Sequence, residues 1–286
     1  MTNVKSYAPI GIFDSGVGGI SVLRTIHGEL PNEATIYFAD QAHVPYGDRT
    51  LVEVRKFAEE ITRFLIANEA KMIVVACNTA SAAALHYLRA IFPSMPFVGM
   101  EPAVKPAANS TKSGVVGILA TPATFQGTLY SSLIERFANN VTVLQDTCPG
   151  LVAQIEKGRT ESPKTRSILK TALIPMLDKG VDTVVLGCTH YPFVIPMIEE
   201  ITGPDVSVID PAPAVARQVF RLLEQHNLLQ PGDALSQEHS SERYNHLITS
   251  GANDQFANVV NSLLGESVIS EKALWRDGRL VIDGPP

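Results

Sequence analysis

VVACNT at residues 74–79 and VVLGCT at residues 184–189 are apolar runs that each lead into a cysteine with a threonine close behind it. IGIFDS (10–15) and VGILAT (116–121) form a second matching pair, displaced along the chain by nearly the same interval. Two strands recurring in the same order and at similar spacing predict two similar α/β halves, each with a cysteine at the equivalent strand end.

The segments around these runs fit that arrangement. IGIFD (10–14), TIYFA (35–39), MIVVA (72–76) and PFVGM (96–100) read as buried strands. Helices are predicted between them over 17–29, from Thr50 to about 68, and over 78–92. Thr50 and Glu53 have the spacing of a capping box, in which side chains satisfy the orphan donors of the first turn. The second half repeats the alternation, with strands at 114–120, 141–145, 182–187 and 206–210. Its helices are predicted over 122–137, from the Ser162-Pro163 cap to 179, up to about 201, and over 213–229. Strands this continuously apolar, alternating with helices, belong to parallel sheets covered on both faces. The fold expected is α/β: two similar doubly wound parallel-sheet domains related by pseudo-twofold symmetry, with the active site in the cleft between them. The polar stretch 230–245 reads as a linker, and HLITS, a helix over 253–264 and a short strand ESVIS are expected to close the chain.

Of 286 residues, 45% are hydrophobic and 18% charged, and the formal net charge is −6. With no cationic surplus to displace phosphate counterions, nucleic acid is not expected as the main partner. No run of about 18 apolar residues could span a bilayer. The opening MTNVKSYAPIGIFDSG carries no apolar signal core. Three widely spaced cysteines make no disulfide framework, which points to a reducing, cytoplasmic setting.

Ligands of parallel α/β sheets bind beyond the carboxyl ends of the strands. Those ends carry Asp14-Ser15, Asp40, Cys77-Asn78-Thr79, Thr121 with Thr124, and Cys188-Thr189-His190. Facing halves would set Cys77 and Cys188 on opposite walls of one cleft. Each cysteine precedes an expected helix start, where amide dipoles favour thiolate. Asp14 is the candidate proton partner of Cys77, and His190 that of Cys188. Cys148, in TCPGL, has no such setting and reads as a buried filler. A competing pattern runs through Gly16-Val17-Gly18-Gly19-Ile20-Ser21, which with Asp40 sketches a dinucleotide fingerprint and its ribose-binding acid. Ser21 at the third glycine position and the carboxylate of Asp14 weaken that reading. Pro45-Tyr46-Gly47 is either a turn or a source of a hydroxyl and amides for a carboxylate, and His43 reads as an exposed loop histidine. No cluster has zinc-ligand spacing, so no catalytic metal is expected.

Taken together, several motifs resemble those of bacterial glutamate racemases, in the aspartate/glutamate racemase superfamily. They are Asp14-Ser15-Gly16-Val17-Gly18-Gly19, Pro45-Tyr46-Gly47, Cys77-Asn78-Thr79-Ala80, Ala120-Thr121 with Thr124, and Gly187-Cys188-Thr189-His190. The likeness runs from residue 10 to about 265. It implies interconversion of L- and D-glutamate without pyridoxal phosphate, metal or other cofactor, supplying D-glutamate for peptidoglycan, cell-wall biogenesis and cell shape. It also implies one domain of residues 1–98 plus 210–286 and a second of 99–209. By position, Cys77 would act on the D-enantiomer and Cys188 on the L-enantiomer, assisted by Asp14, His190 and Glu156 in PGLVAQIEKG. Two fixed thiols suit the task, since a free thiol has a pKa of about 8.5 and both protonation states coexist near neutrality. Asn78, Thr79 and Thr189 are the chosen donors to the charge developing on the substrate carboxylate. Ser15, Pro45, Tyr46, Gly47, Thr121 and Thr124 complete the expected substrate contacts. The partner implied is small-molecule glutamate, with no membrane and with room for a homodimer. The family commonly has an arginine where this chain has His43, which leaves that position without a role. An aspartate racemase or related two-cysteine isomerase, and a non-catalytic binding protein, stay open as alternatives.

Overall fold

The computed structural model describes residues 6–231 and 246–283, so the expected linker lies almost wholly outside the described residues. The first half runs β1 (Ile10–Asp14), α1 (Ile20–Glu29), β2 (Thr35–Ala39), α2 (Leu51–Ala67), β3 (Met72–Val75), α3 (Asn78–Ile91) and β4 (Phe97–Gly99). The second begins with α4 (Val104–Ser110), β5 (Val115–Ala120), α5 (Pro122–Gln126), α6 (Thr128–Phe137) and β6 (Thr142–Asp146). It continues through α7 (Leu151–Ile155), α8 (Pro163–Leu177), β7 (Thr183–Gly187), α9 (Ile195–Thr202) and β8 (Ser207–Ile209). The chain then adds α10 (Ala212–Gln225), β9 (Leu247–Thr249), α11 (Asn253–Leu264), β10 (Ser270–Arg276) and β11 (Arg279–Ile282).

The sequence repeat is a repeat in space. The larger sheet has the order β11-β10-β9-β2-β1-β3-β4 and the smaller one β6-β5-β7-β8. Strands β2-β1-β3-β4 and β6-β5-β7-β8 therefore share one parallel arrangement, with the cysteine-bearing run third in each. Every residue of β1, β2, β3 and β7 is buried, which is why these runs are apolar without alternation. One hydrophobic cluster includes Ile10 and Val74 of the larger sheet, Leu186 of the smaller and Val219 of α10, so a continuous core joins the two halves.

Local signals were read correctly where chemistry fixes them. Thr50 and Glu53 form the capping box, with the Glu53 amide donating to Thr50 Oγ1 at 3.3 Å and the Thr50 amide to Glu53 Oε2 at 3.0 Å. Ser162 caps α8 ahead of Pro163. Four expectations need correction. The helices α4 and α7 were not foreseen, being too short for a helical period to show. The helix expected over 122–137 breaks at Gly127, whose extended backbone ends α5 and begins α6. No α-helix starts at Cys188, because a turn and a 3-10 segment (Tyr191–Val194) intervene before α9. ESVIS is not a strand but for its last residue, Ser270, where a hairpin begins: β10 lies parallel to β9 and antiparallel to β11. Asp277 and Gly278, both at positive φ, make its turn, as an Asp-Gly pair between strands prefers.

Candidate active site

The carboxyl ends of both sheets meet at a small, tight cavity of about 20 Å³. Ser15, Pro45, Tyr46, Gly47, Cys77, Asn78, Thr79, Thr121, Cys188, Thr189 and His190 line it, together with Val152 of α7. The structure thus brings both thiols to one space, and it sets Asp14, Thr124 and Glu156 behind its walls.

Cys77 caps α3, and the Ala80 amide donates to its sulfur at 3.4 Å. Burial, and then the charge of Asp14, nevertheless push the thiol well above its ordinary value. The Ala80 amide favours thiolate, as the helix start leads one to expect, but burial outweighs it. The Asp14 carboxyl is itself pushed up, first by burial, against the lowering influence of His190, the Gly19 amide and Cys77. Its Oδ2 accepts the Gly19 amide at 2.9 Å, and Thr189 Oγ1 lies 3.4 Å from Oδ1.

Cys188 has a different support. Its sulfur lies 3.7 Å from His190 Nδ1, and His190 Nε2 lies 2.5 Å from Glu156 Oε1. Glu156 is in turn held by two donors from the first half, the Val17 amide at 2.9 Å and Gln41 Nε2 at 2.7 Å. Burial pulls His190 down, but Cys188 and Glu156 more than offset it, so its proton affinity is raised well above the ordinary imidazole. For Cys188 no α-helix starts close behind the sulfur, which is met by this imidazole instead.

Polar groups between the thiols converge from both halves. Thr79 Oγ1 lies 2.8 Å from Thr121 Oγ1, which lies 3.0 Å from Thr124 Oγ1. Asn78 is buried with neither its Oδ1 nor its Nδ2 partnered. Leaving a buried amide unbonded costs about 1–3 kcal/mol, so it marks where a polar ligand belongs. Two loop expectations change. The Tyr46 hydroxyl donates to Asp40 Oδ2 at 2.6 Å, so its proton is already engaged within the protein although Tyr46 lines the cavity. His43 is no exposed loop histidine: its ring stacks on Phe57 at 3.9 Å and its Nδ1 lies 2.9 Å from Asp40 Oδ2.

The dinucleotide pattern is also overturned. A Cβ on Gly16 would overlap the Glu156 carboxylate, and one on Gly18 would lie 2.5 Å from His190 Nδ1. The space over these glycines is taken by side chains of the second half, where a pyrophosphate would have to sit. Asp40, the supposed ribose acid, is already bonded to protein side chains.

A family model described as Asp/Glu/Hydantoin racemase matches residues 14–219. The chain belongs to this family. A glutamate racemase from Roseiflexus sp. (strain RS-1) is 49% identical over 259 residues, covering 91% of this chain and 93% of that protein. Glutamate racemase isoform RacE1 from Bacillus anthracis has a TM-score of 0.81 at 31% identity, covering 93% of this chain and 97% of that one. Escherichia coli glutamate racemase, solved with L-glutamate and the activator UDP-MurNAc-ala, has a TM-score of 0.79 at 31% identity, covering 97% of this chain and 100% of that one.

For a member of a racemase family, the two walls of the cavity carry two acid/base candidates with unlike support. Sequence reasoning missed Gln41 and Val152. Gln41 stands two residues beyond β2, at a carboxyl end where polar residues merit attention, whereas Val152 arrives on a helix with no readable period. Among the described residues, no group of three or more His, Cys, Asp or Glu is placed to hold a metal ion, and no helix is long and apolar enough to cross a membrane. The glycine stretch gives a direct test. Gly18→Ala should displace His190 from Cys188 and slow racemisation about 100-fold, since misplacement near 1 Å costs that much. Gly28→Ala, with nothing within 4 Å of the added methyl, should leave the rate unchanged. Equal rates in the two variants would remove the steric argument.

Proposed function

We propose that the chain interconverts L- and D-glutamate by two-base proton transfer at the α-carbon, Cys188 acting on the L-enantiomer and Cys77 on the D-enantiomer. The observation that carries this reading is one cavity lined by both cysteines, each with its own polar support. The choice of glutamate is supported by the names of relatives at about half identity and by the L-glutamate in the E. coli structure.

With Cys77 held as a thiol, the arrangement is set for the L-to-D direction. The Cys188 sulfur takes the α-proton from one face, forming S–H as C–H breaks. Cys77 delivers its proton to the other face, leaving its own sulfur as thiolate. The electron pair on the α-carbon meanwhile delocalises into the α-carboxylate. Asn78, Thr79 and Thr189 would hold that charge, preorganised donors being worth most where water is excluded. Ser15, Thr121, Thr124 and the Pro45-Tyr46-Gly47 backbone would fix the remaining charged groups. Protonation states are then reversed, ready for the opposite enantiomer. Residues 1–98 plus 210–286 would form the Cys77 domain and 99–209 the Cys188 domain. The same reading needs no cofactor, places the enzyme in the cytoplasm as a source of D-glutamate for peptidoglycan, and is compatible with a homodimer.

Solvent isotope incorporation tests it. Started in D₂O from L-glutamate without added cofactor, the reaction should form D-glutamate carrying deuterium at the α-carbon. Residual L-glutamate should stay largely protiated at early conversion, as read by proton NMR. Protium carried into the product would overturn the two-base mechanism, and turnover of aspartate but not glutamate would overturn the substrate.

A further inference from the structure

Asp40 lies at the carboxyl end of β2 with no exposed surface, one wall away from the cavity. Its carboxylate is met by four side chains: Tyr46 Oη at 2.6 Å, His43 Nδ1 at 2.9 Å, Ser250 Oγ at 2.8 Å and Trp275 Nε1 at 2.8 Å. Those groups come from three separate segments, namely the loop after β2, the residue following β9, and β10 of the C-terminal hairpin. The same loop is tied further by Arg49 Nε, which donates to the His43 carbonyl at 2.6 Å, and by Ser250 Oγ, which accepts the Ala42 amide at 3.0 Å. His43 and Phe57 each meet the Trp275 ring edge-on, at 5.0 and 5.8 Å between centroids. The loop is thus fastened from behind by one buried anion while its front presents Pro45-Tyr46-Gly47 to the cavity. On that front, a Cβ at Gly47 would lie 2.9 Å from Thr121 of the other half, so small shifts of the loop alter the cavity itself.

We propose that Asp40 is a positioning residue for substrate binding, and that its bond to Trp275 couples the C-terminal hairpin to occupancy of the cavity. The proposal rests on the glutamate racemase reading, for it assigns no substrate contact to Asp40, His43 or Trp275. A carboxylate suits the place because Tyr46, Ser250 and Trp275 all donate to it, and the indole N–H of Trp275 can do nothing else. An asparagine would turn an NH₂ group toward at least one of them, leaving buried donors opposed. His43 then has a role: it braces the loop from behind, between Asp40 and the Phe57 ring.

Trp275 is the one tryptophan of the chain, so its emission reports on this cluster. Added glutamate should change that emission saturably, with a midpoint near the KM. Asp40→Asn should raise KM for both enantiomers about tenfold or more while kcat changes little, since hydrogen bonds to a charged group carry effects of that size. Ser250→Ala and Trp275→Phe, each removing one donor and keeping the fold, should move KM the same way by less. They serve if Asp40→Asn does not fold. Folded variants with the wild-type KM, losses confined to kcat, or a wild-type emission indifferent to glutamate would each overturn the positioning role while leaving the activity in place. A wild-type protein that racemises no glutamate would overturn the functional reading, and this inference with it.

Discussion

Cys77→Ser and Cys188→Ser are each expected to abolish measurable racemisation, a loss of several orders of magnitude, with the circular dichroism spectrum unchanged. In the proposed mechanism each thiol serves one face of the substrate, so neither can take over from the other. A serine hydroxyl is far too weak an acid to alternate between proton states near neutrality. Because enantiomers have an equilibrium constant of unity, kcat/KM must fall equally in both directions whichever cysteine is changed. Cys148 supplies the control. It is buried in the core cluster that also holds Cys188, its thiol is pushed up by burial and by Asp146, and it does not line the cavity. Cys148→Ser should keep most of the activity. Near-normal turnover in either of the other single variants, read by polarimetry or a coupled assay, would remove the two-thiol reading.

His190→Asn and Glu156→Gln should each slow the enzyme about 10²–10⁴-fold, the range typical of positioned acid/base groups. The two side chains form one series behind Cys188, so their effects should not add: the double variant should be little worse than the worse single one. Glu156 is one of the groups that raise the proton affinity of His190. Removing its charge lowers that affinity, so any limb of the pH–rate profile that reports His190 should move to lower pH in Glu156→Gln. Asp14→Asn should act on the Cys77 side instead, with the imbalance between directions visible in kcat and KM taken separately. Full additivity of His190→Asn and Glu156→Gln, or an unmoved pH limb, would show that the two act independently.

How much of this was legible depends on the range of the interactions. The strands were readable because burial on both faces makes MIVV and TVVLG apolar at every position. The capping box at Thr50 was readable because its partners are three residues apart. Cys77, Cys188, Asp14 and His190 stood out as candidates because carboxyl ends of parallel strands collect ligands. Glu156 came only from the likeness to known racemases. Its contacts with Val17, Gln41 and His190 span 34 to 139 residues of sequence, and no local pattern encodes them. The glycines misled for a related reason. A glycine permits close approach without saying what approaches, and here a carboxylate and an imidazole fill the place a phosphate would take. The cluster around Asp40 was hidden because Trp275 reaches it on a hairpin that begins only where the expected ESVIS strand ends.

The matching strand orders of the two sheets bear on a problem of handedness. A catalyst for mirror images would ideally contain a mirror, yet a chain of L-residues cannot build one. Rotation is the available substitute: two copies of one chiral topology, turned to face each other, approach a planar carbanion from opposite sides without either being the reflection of the other. The pockets for the two antipodes are then different environments by necessity. Asp14 behind one sulfur and the imidazole–carboxylate pair behind the other express that inequality in chemical form. The enzyme can be impartial in where it lets the reaction come to rest, but it has no geometric reason to turn over the two hands equally fast once saturated.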